Sequence, residues 1–318
     1  MNSKKLNVLK VVDQWGWSYD FIGREQARYS RHNIIINKYD NVKLDGIDII
    51  YIHSPNIHPS IADLPWEAKE RGIKVIGAYG GDPKYYPDGG IPPYPYADII
   101  ATISPQTYKY GEDTYENIPT IFFPEGVDTI FFTPKPFDPT KFKAGWAGSF
   151  WSIKRCGILD KLIVKVHRQS DWGPKHFKYK RDLTPMLNFY HSIDTFVLSS
   201  ETECMPRVVL ESMACGLPVV STAVGNVPFL INEKWLTAVH PEEKVIEQMN
   251  KCLKRLKYNK NCRKGVGERN RTFICRNFSW DVVQPYWDEI FDYLHEGRTK
   301  KIIIKNKEYL NRYAGHFK

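Results

Sequence analysis

The stretch S-S-E-T-E-C-M-P-R-V-V-L-E-S-M-A-C-G-L-P-V-V-S-T-A-V-G, Ser199 to Gly225, decides how this chain folds. Thr195 to Ser199 reads as a short buried strand, Arg207 to Ala214 as a helix ended by Gly216-Leu217-Pro218, and Val219 to Thr222 as the next strand. A strand, a helix and a second strand in that order form a parallel crossover unit. Pro206 falls at the helix start, where its missing N–H costs nothing. The free first-turn amides and the positive end of the helix dipole suit a diphosphate. Glu211 follows Glu203 by eight residues, up to about 12 Å at the helical rise. That span is similar to the distance from sugar to ribose in a nucleotide sugar, and each carboxylate can accept hydrogen bonds from a vicinal hydroxyl pair.

The alternation extends outward from this unit. Leu6–Val12, Asn33–Ile36, Ile47–His53, Lys74–Ala78 and Ala97–Ile103 are short and rich in Ile and Val, as buried parallel strands are. Helices are predicted over Ser18–Arg31 and Ser60–Arg71, the second opening on Ser with Asp63 three residues on. The proline-dense Thr133-Pro134-Lys135-Pro136-Phe137-Asp138-Pro139 interrupts the pattern and reads as an interdomain linker. Beyond it come a strand ending at Gly145–Ala147 and helices over Gly157–Ile163, Glu242–Leu256 and Trp280–Glu296. The expected fold is therefore α/β, with two Rossmann-like, doubly wound parallel-sheet domains facing across a cleft. The expected boundaries are residues 1–135, residues 136–280, and C-terminal helices with a basic tail over 281–318. Ligands in such sheets bind at the carboxyl ends of the strands.

The 318 residues, 42% hydrophobic and 25% charged, exclude a disulfide-stapled miniprotein and a disordered chain. The six cysteines form no C-x-x-C pair, which argues against a zinc cage and for a reducing compartment. The start lacks the apolar core of a secretory signal, and no run is long enough to span a bilayer. A cytoplasmic protein is expected. The net charge of +9 is concentrated late in the chain. Residues 251–276 hold ten Lys/Arg and one acid, and residues 298–318 hold seven and one. These stretches are expected to form an outer surface, for solubility or for peripheral contact with anionic membrane at its inner face, with DNA a weaker alternative.

Ser199–Gly225 resembles the E-x7-E signature of retaining glycosyltransferases of family 4, which have the GT-B fold. Phe122–Pro134, F-F-P-E-G-V-D-T-I-F-F-T-P, is similar to that family's P-N-G-V-D-x-x-x-F-x-P junction, with Glu125 in place of the usual Asn. Ala97–Ser104 resembles its A-D-x-x-x-x-x-S strand, Phe189–Asp194 its F-Y-x-x-A-D, and Phe278-Ser279-Trp280 the F-S-W that opens its C-terminal helices. The matches keep the family's order over roughly residues 6–295.

The resemblance implies transfer of a hexose-type sugar from a nucleotide-diphosphate sugar to a glycan, lipid-linked or protein acceptor, with retention. It implies that Glu203 holds the transferred sugar, Glu211 the ribose, and Cys204, Met205, Pro206, Arg207 and Val208 the sugar and phosphates. In Gly145–Gly157, G-W-A-G-S-F-W-S-I-K-R-C-G, Lys154 aligns with a cation that neutralises the leaving diphosphate. Ser149 replaces the family's arginine, and Arg155 is a candidate substitute. Of the first-loop glycines that approach the donor only Gly16 remains. The family's H-G-x-D appears as Tyr79-Gly80-Gly81-Asp82, so Tyr79 and Asp82 are acceptor-side candidates, with His53 and His58 candidates for the missing histidine. No metal and no resident cofactor are expected, since helix amides and Lys154 would do the neutralising. Two alternatives stay open: a GT-B glucosyltransferase acting on modified DNA, and a non-catalytic nucleotide-sugar-binding protein.

Overall fold

The computed structural model describes residues 4–12, 15, 18–53, 63–79, 96–169 and 182–314. The chain forms two compact units. The first contains residues up to Gly126 together with Trp280 onward, and the second runs from Val127 to Ser279.

The first unit is built on a six-stranded sheet in the order β2-β1-β3-β4-β5-β6. Its strands are β1 (Asn7–Val12), β2 (Asn33–Lys38), β3 (Ile49–His53), β4 (Lys74–Tyr79), β5 (Ile99–Thr102) and β6 (Thr120–Phe122). Every pairing is parallel, with Leu9 opposite Ile35 and Ile50, and Ile76 opposite Ile99. Helices α1 (Ser18–Tyr29), α2 (Leu64–Glu70) and α3 (Pro105–Thr114) provide crossovers. Side chains alternate between two cores: Val8, Ile49, Tyr51, Ile76 and Ile99 on one face, and Leu9, Val11, Ile50, Ile52, Val75 and Ile100 on the other. Burial on both faces explains why these strands read as continuous apolar runs. The first core is closed by Trp280, Trp287, Ile290 and Phe291 of a long C-terminal helix, Trp280–His295.

The second unit has a five-stranded parallel sheet in the order β11-β10-β9-β7-β8. Its strands are β7 (Ala144–Ala147), β8 (Val166–Gln169), β9 (Thr195–Leu198), β10 (Val219–Thr222) and β11 (Leu236–Thr237). Helices α4 (Thr184–Ser192), α5 (Arg207–Ala214), α6 (Val227–Leu230), α7 (Glu242–Tyr258) and α8 (Lys260–Asn277) surround it. Helices α9 (Trp280–His295) and α10 (Thr299–Ala314) belong to the first unit.

Three expectations are corrected. The proline-dense Thr133–Pro139 lies inside the second unit, whose edge is at Val127. The residues just before it are already tied to the second unit: Val127 N–H donates to the Phe278 carbonyl, and Arg271 donates to the carbonyls of Thr129 and Phe132 as well as Ala214. Residues 157–163 are not α-helical; Cys156–Lys161 forms a 3-10 turn. The stretch 251–276 is not wholly an outer surface, because Arg263 is 2% exposed and donates to the carbonyls of Leu256, Lys257, Asp138 and Lys141.

Candidate functional site

In the second sheet the chain runs outward from β7 to β8, then returns to place β9 on the other side of β7. The strand order therefore reverses between β7 and β9, and the loops at their carboxyl ends frame the position where such sheets take ligands. Those loops are Gly148–Arg155 and Ser199–Pro206, the two segments that carry Lys154 and Glu203.

Local geometry brings these residues together. After β7, Ser152–Lys154 forms a single 3-10 turn in which the Lys154 N–H donates to the Trp151 carbonyl at 2.9 Å. This turn is laced to the other loop by Glu201 N–H donating to the Ile153 carbonyl at 2.7 Å, and by Ser199 Oγ donating to the Lys154 carbonyl at 2.8 Å. Lys154 Nζ then lies 2.6 Å from Glu203 Oε1, which also accepts from Ser200 Oγ at 2.6 Å. Both side chains keep some access to solvent, 21% for Lys154 and 12% for Glu203. A charge pair at a strand end that keeps some access to solvent is able to exchange partners when a ligand brings its own hydroxyls and phosphates.

Arg155, the expected substitute cation, has another task. It sits in the left-handed region at φ 46°, and its guanidinium donates to the carbonyls of Ser199 (2.9 Å), Ser200 (3.1 Å) and Val239 (2.7 Å). A planar fork spent on three backbone oxygens holds the β9 loop in place rather than facing a diphosphate. Thr222 Oγ1 adds a further bond to the Ser200 carbonyl at 2.7 Å.

Next to Glu203 the chain meets the loop after β10. Asn226 N–H donates to the Cys204 carbonyl at 2.8 Å. Gly225 stands at φ +53°, where a Cβ would lie 2.2 Å from the Cys204 oxygen and 2.6 Å from the Glu203 oxygen. Gly225→Ala therefore forces the Glu203 segment to move. A loss of donor affinity of tenfold or more is expected, readable by calorimetric titration.

Helix α5 begins after Pro206, whose side chain makes no capping bond. Cys204 and Met205, at the end of the loop, are buried, whereas Arg207 and Val208 are partly exposed. Glu211, at the next turn, is 3% exposed. Its Oε2 accepts from the Tyr190 hydroxyl at 2.8 Å, and its Oε1 lies 3.6 Å from the Arg207 guanidinium. Burial, then the Glu211 charge, hold the Tyr190 hydroxyl far above its ordinary pKa, so it stays a donor. Tyr190 gave no sequence signal of this role beyond its place in F-Y-x-x-A-D.

In the first unit Tyr79 is fully buried and its hydroxyl lies 2.6 Å from that of Tyr115, so the ring packs in the core instead of facing an acceptor. His53 ends β3 opposite Ala78. Gly16, His58 and Asp82 lie outside the described residues. Among the described residues no group of three His, Cys, Asp or Glu is arranged to hold a metal ion, and no helix is long and apolar enough to cross a membrane.

Residues 164–255 match the family described as Glycosyl transferases group 1. A segment of 113 residues is 33% identical to N-acetyl-alpha-D-glucosaminyl L-malate synthase of Bacillus anthracis, covering 34% of this chain and 29% of the relative's own length. Among solved structures the fold is similar to a glycosyltransferase from Rickettsia africae, with TM-score 0.70, 16% identity, and coverage of 92% of this chain and 99% of that one. It is also similar to Anabaena HepE in complex with UDP, with TM-score 0.68, 13% identity, and coverage of 90% and 99%. The chain has the two-sheet fold of GT-B glycosyltransferases, and its second unit carries the match to glycosyl transferases group 1.

Proposed function

We propose that the protein is a retaining, metal-independent hexosyltransferase that uses a nucleotide-diphosphate sugar. The observation that carries this reading is the Lys154–Glu203 pair, held by Ser200 at the sheet's switch point. It sits one helical segment ahead of the buried Glu211.

In this reading the α5 amides and Lys154 bind the diphosphate, Glu203 accepts hydrogen bonds from hydroxyls of the sugar, and Glu211 turns from Tyr190 and Arg207 toward the ribose. As the glycosidic bond to the leaving phosphate breaks, negative charge grows on the phosphate oxygen and Lys154 stabilises it. The same oxygen takes the acceptor's proton while the acceptor oxygen bonds to the anomeric carbon from the same face. The chain then supplies no nucleophile, only position and charge. The six cysteines, all free, are consistent with a reducing, cytoplasmic setting. The acceptor class remains glycan, lipid-linked or protein.

HepE has been solved in complex with UDP-glucose, which makes UDP-glucose the first probe. A ligand at 100 times its dissociation constant adds about 2.7 kcal/mol of stability, so a thermal-shift panel of nucleotide sugars identifies the donor. With that donor, Glu203→Ala is expected to lower kcat/KM for hydrolysis or transfer about 10- to 100-fold. Full turnover in Glu203→Ala refutes the assignment, and loss of turnover on EDTA treatment refutes metal independence.

A further inference from the structure

We propose that the outward face of α10 docks on an anionic lipid surface. The two faces of this helix differ sharply. Ile302, Asn306 and Tyr309, spaced i, i+4, i+7, anchor it to the first unit. Ile302 is fully buried, Asn306 Oδ1 accepts from the Phe122 N–H at 2.8 Å, and Tyr309 stacks on Tyr286 with ring centroids 4.6 Å apart.

Lys300, Ile304 and Lys307 follow the same spacing on the opposite side, with Lys301 and Ile303 beside them and Glu308 the one exposed acid of the helix, so three lysines outweigh one carboxylate. Ile304 is 53% exposed and Ile303 36%. None of Lys300, Lys301 and Lys307 has an ion-pair partner among the described residues. Lys305 and Arg298, by contrast, are paired with Glu289 and Glu296.

This face combines two things that solubility alone does not select together: unpaired cations and adjacent exposed aliphatic side chains. Lysines suffice for solubility, and branched apolar side chains work against it. A nucleic-acid backbone engages the cations and leaves Ile303 and Ile304 in water. The headgroup layer of an anionic membrane satisfies both, because lysines meet lipid phosphates while the two isoleucines enter the acyl boundary. The other basic stretch lacks this character. In α7 and α8 the exposed Lys254, Lys257, Lys260 and Lys264 surround the exposed Tyr258 with no exposed aliphatic beside it, and Arg263 and Arg271 are bound to carbonyls. The inference concerns α10 itself and does not depend on the donor reading.

The test is co-sedimentation of the full chain with vesicles of phosphatidylglycerol and phosphatidylcholine, against vesicles of phosphatidylcholine alone. Binding is expected to the first only, and to fall as salt rises. Each cation near an anionic surface contributes about fivefold, so Lys300→Gln/Lys301→Gln/Lys307→Gln is expected to weaken binding about 100-fold. Ile303→Ser/Ile304→Ser is expected to weaken it at least tenfold with the charge unchanged. All five side chains are exposed, so both variants keep the fold, checked by circular dichroism. Lys254→Gln/Lys257→Gln/Lys260→Gln on the second unit is expected to bind as the parent does. The proposal is overturned by absence of binding to the anionic vesicles, by full binding in the isoleucine variant, or by loss of binding in the α7–α8 variant. Self-association that the isoleucine substitutions abolish assigns the face to a second copy and overturns it too. Salt-sensitive retention on duplex DNA without lipid binding does the same.

Discussion

Lys154→Ala is expected to lower kcat by about 10² to 10³, the usual consequence of removing one preorganised stabiliser of developing negative charge. The parent structure spends the lysine on Glu203 at 2.6 Å, a pair with both members partly open to solvent. Both side chains are mostly buried, so truncation also leaves the Glu203 carboxylate with Ser200 alone, at about 1–3 kcal/mol of stability. In the proposed reaction transition-state charge depends on it strongly, because Arg155, the nearest cation in sequence, is committed to the carbonyls of Ser199, Ser200 and Val239. Three measurements separate this role from a structural one. Donor binding should weaken less than kcat falls, since the charge on the phosphate is greatest as the bond breaks. Lys154→Arg should recover part of the rate, the cation being kept and the geometry changed. The circular dichroism spectrum of Lys154→Ala at the assay temperature should match that of the parent, so the lost rate is not lost fold. A kcat within threefold of the parent, measured with the donor that the thermal-shift panel identifies, removes Lys154 from the mechanism.

Much of this site was legible because its parts are local. The pattern around Ser199–Gly225 specifies a strand, a loop and a helix within 27 residues, and those elements stand where the sequence puts them. What it could not specify is where a side chain's partners come from. Arg155 reads as a spare cation beside Lys154, yet its guanidinium is held by carbonyls 44, 45 and 84 residues away. Tyr79 fails for a different reason. On a strand buried on one face, parity assigns each side chain to core or solvent; on β4 both faces are core, so parity carries no such information. β6 and β8 carry little strand signal of their own, because one is three residues long and the other is a polar edge strand, Val-His-Arg-Gln. Short strands are specified by their neighbours more than by themselves.

Arg263→Ala is expected to cost about 3–5 kcal/mol, the sum of a cavity and of buried carbonyls left without their donor. The residue counts as one of ten bases in a stretch that looks like a solvated face. Its guanidinium instead donates to the carbonyls of Leu256 (3.0 Å) and Lys141 (2.9 Å), with longer contacts to Lys257 and Asp138. It lies 5.2 Å from the ring centroid of Phe137 and 5.4 Å from that of Phe142. Burial pulls its pKa below the usual arginine value, and the charges of Asp194 and Asp138 oppose that pull. Truncation leaves carbonyls at the end of α7 and in the segment before β7 without a donor, at about 1–3 kcal/mol for each one buried. It also opens a cavity under two aromatic rings. Arg263→Lys does not rescue, since one ammonium cannot span acceptors that a fork reaches from both sides. The neighbouring Lys264, exposed on the same helix, serves as the control: Lys264→Ala removes the same charge and should change stability by no more than about 0.5 kcal/mol. Urea unfolding followed by tryptophan fluorescence reads both. Equal losses would mean that the stretch acts through its summed charge; a large loss at Arg263 alone means that its most buried base is a structural staple, and that only the remaining cations are available to a partner.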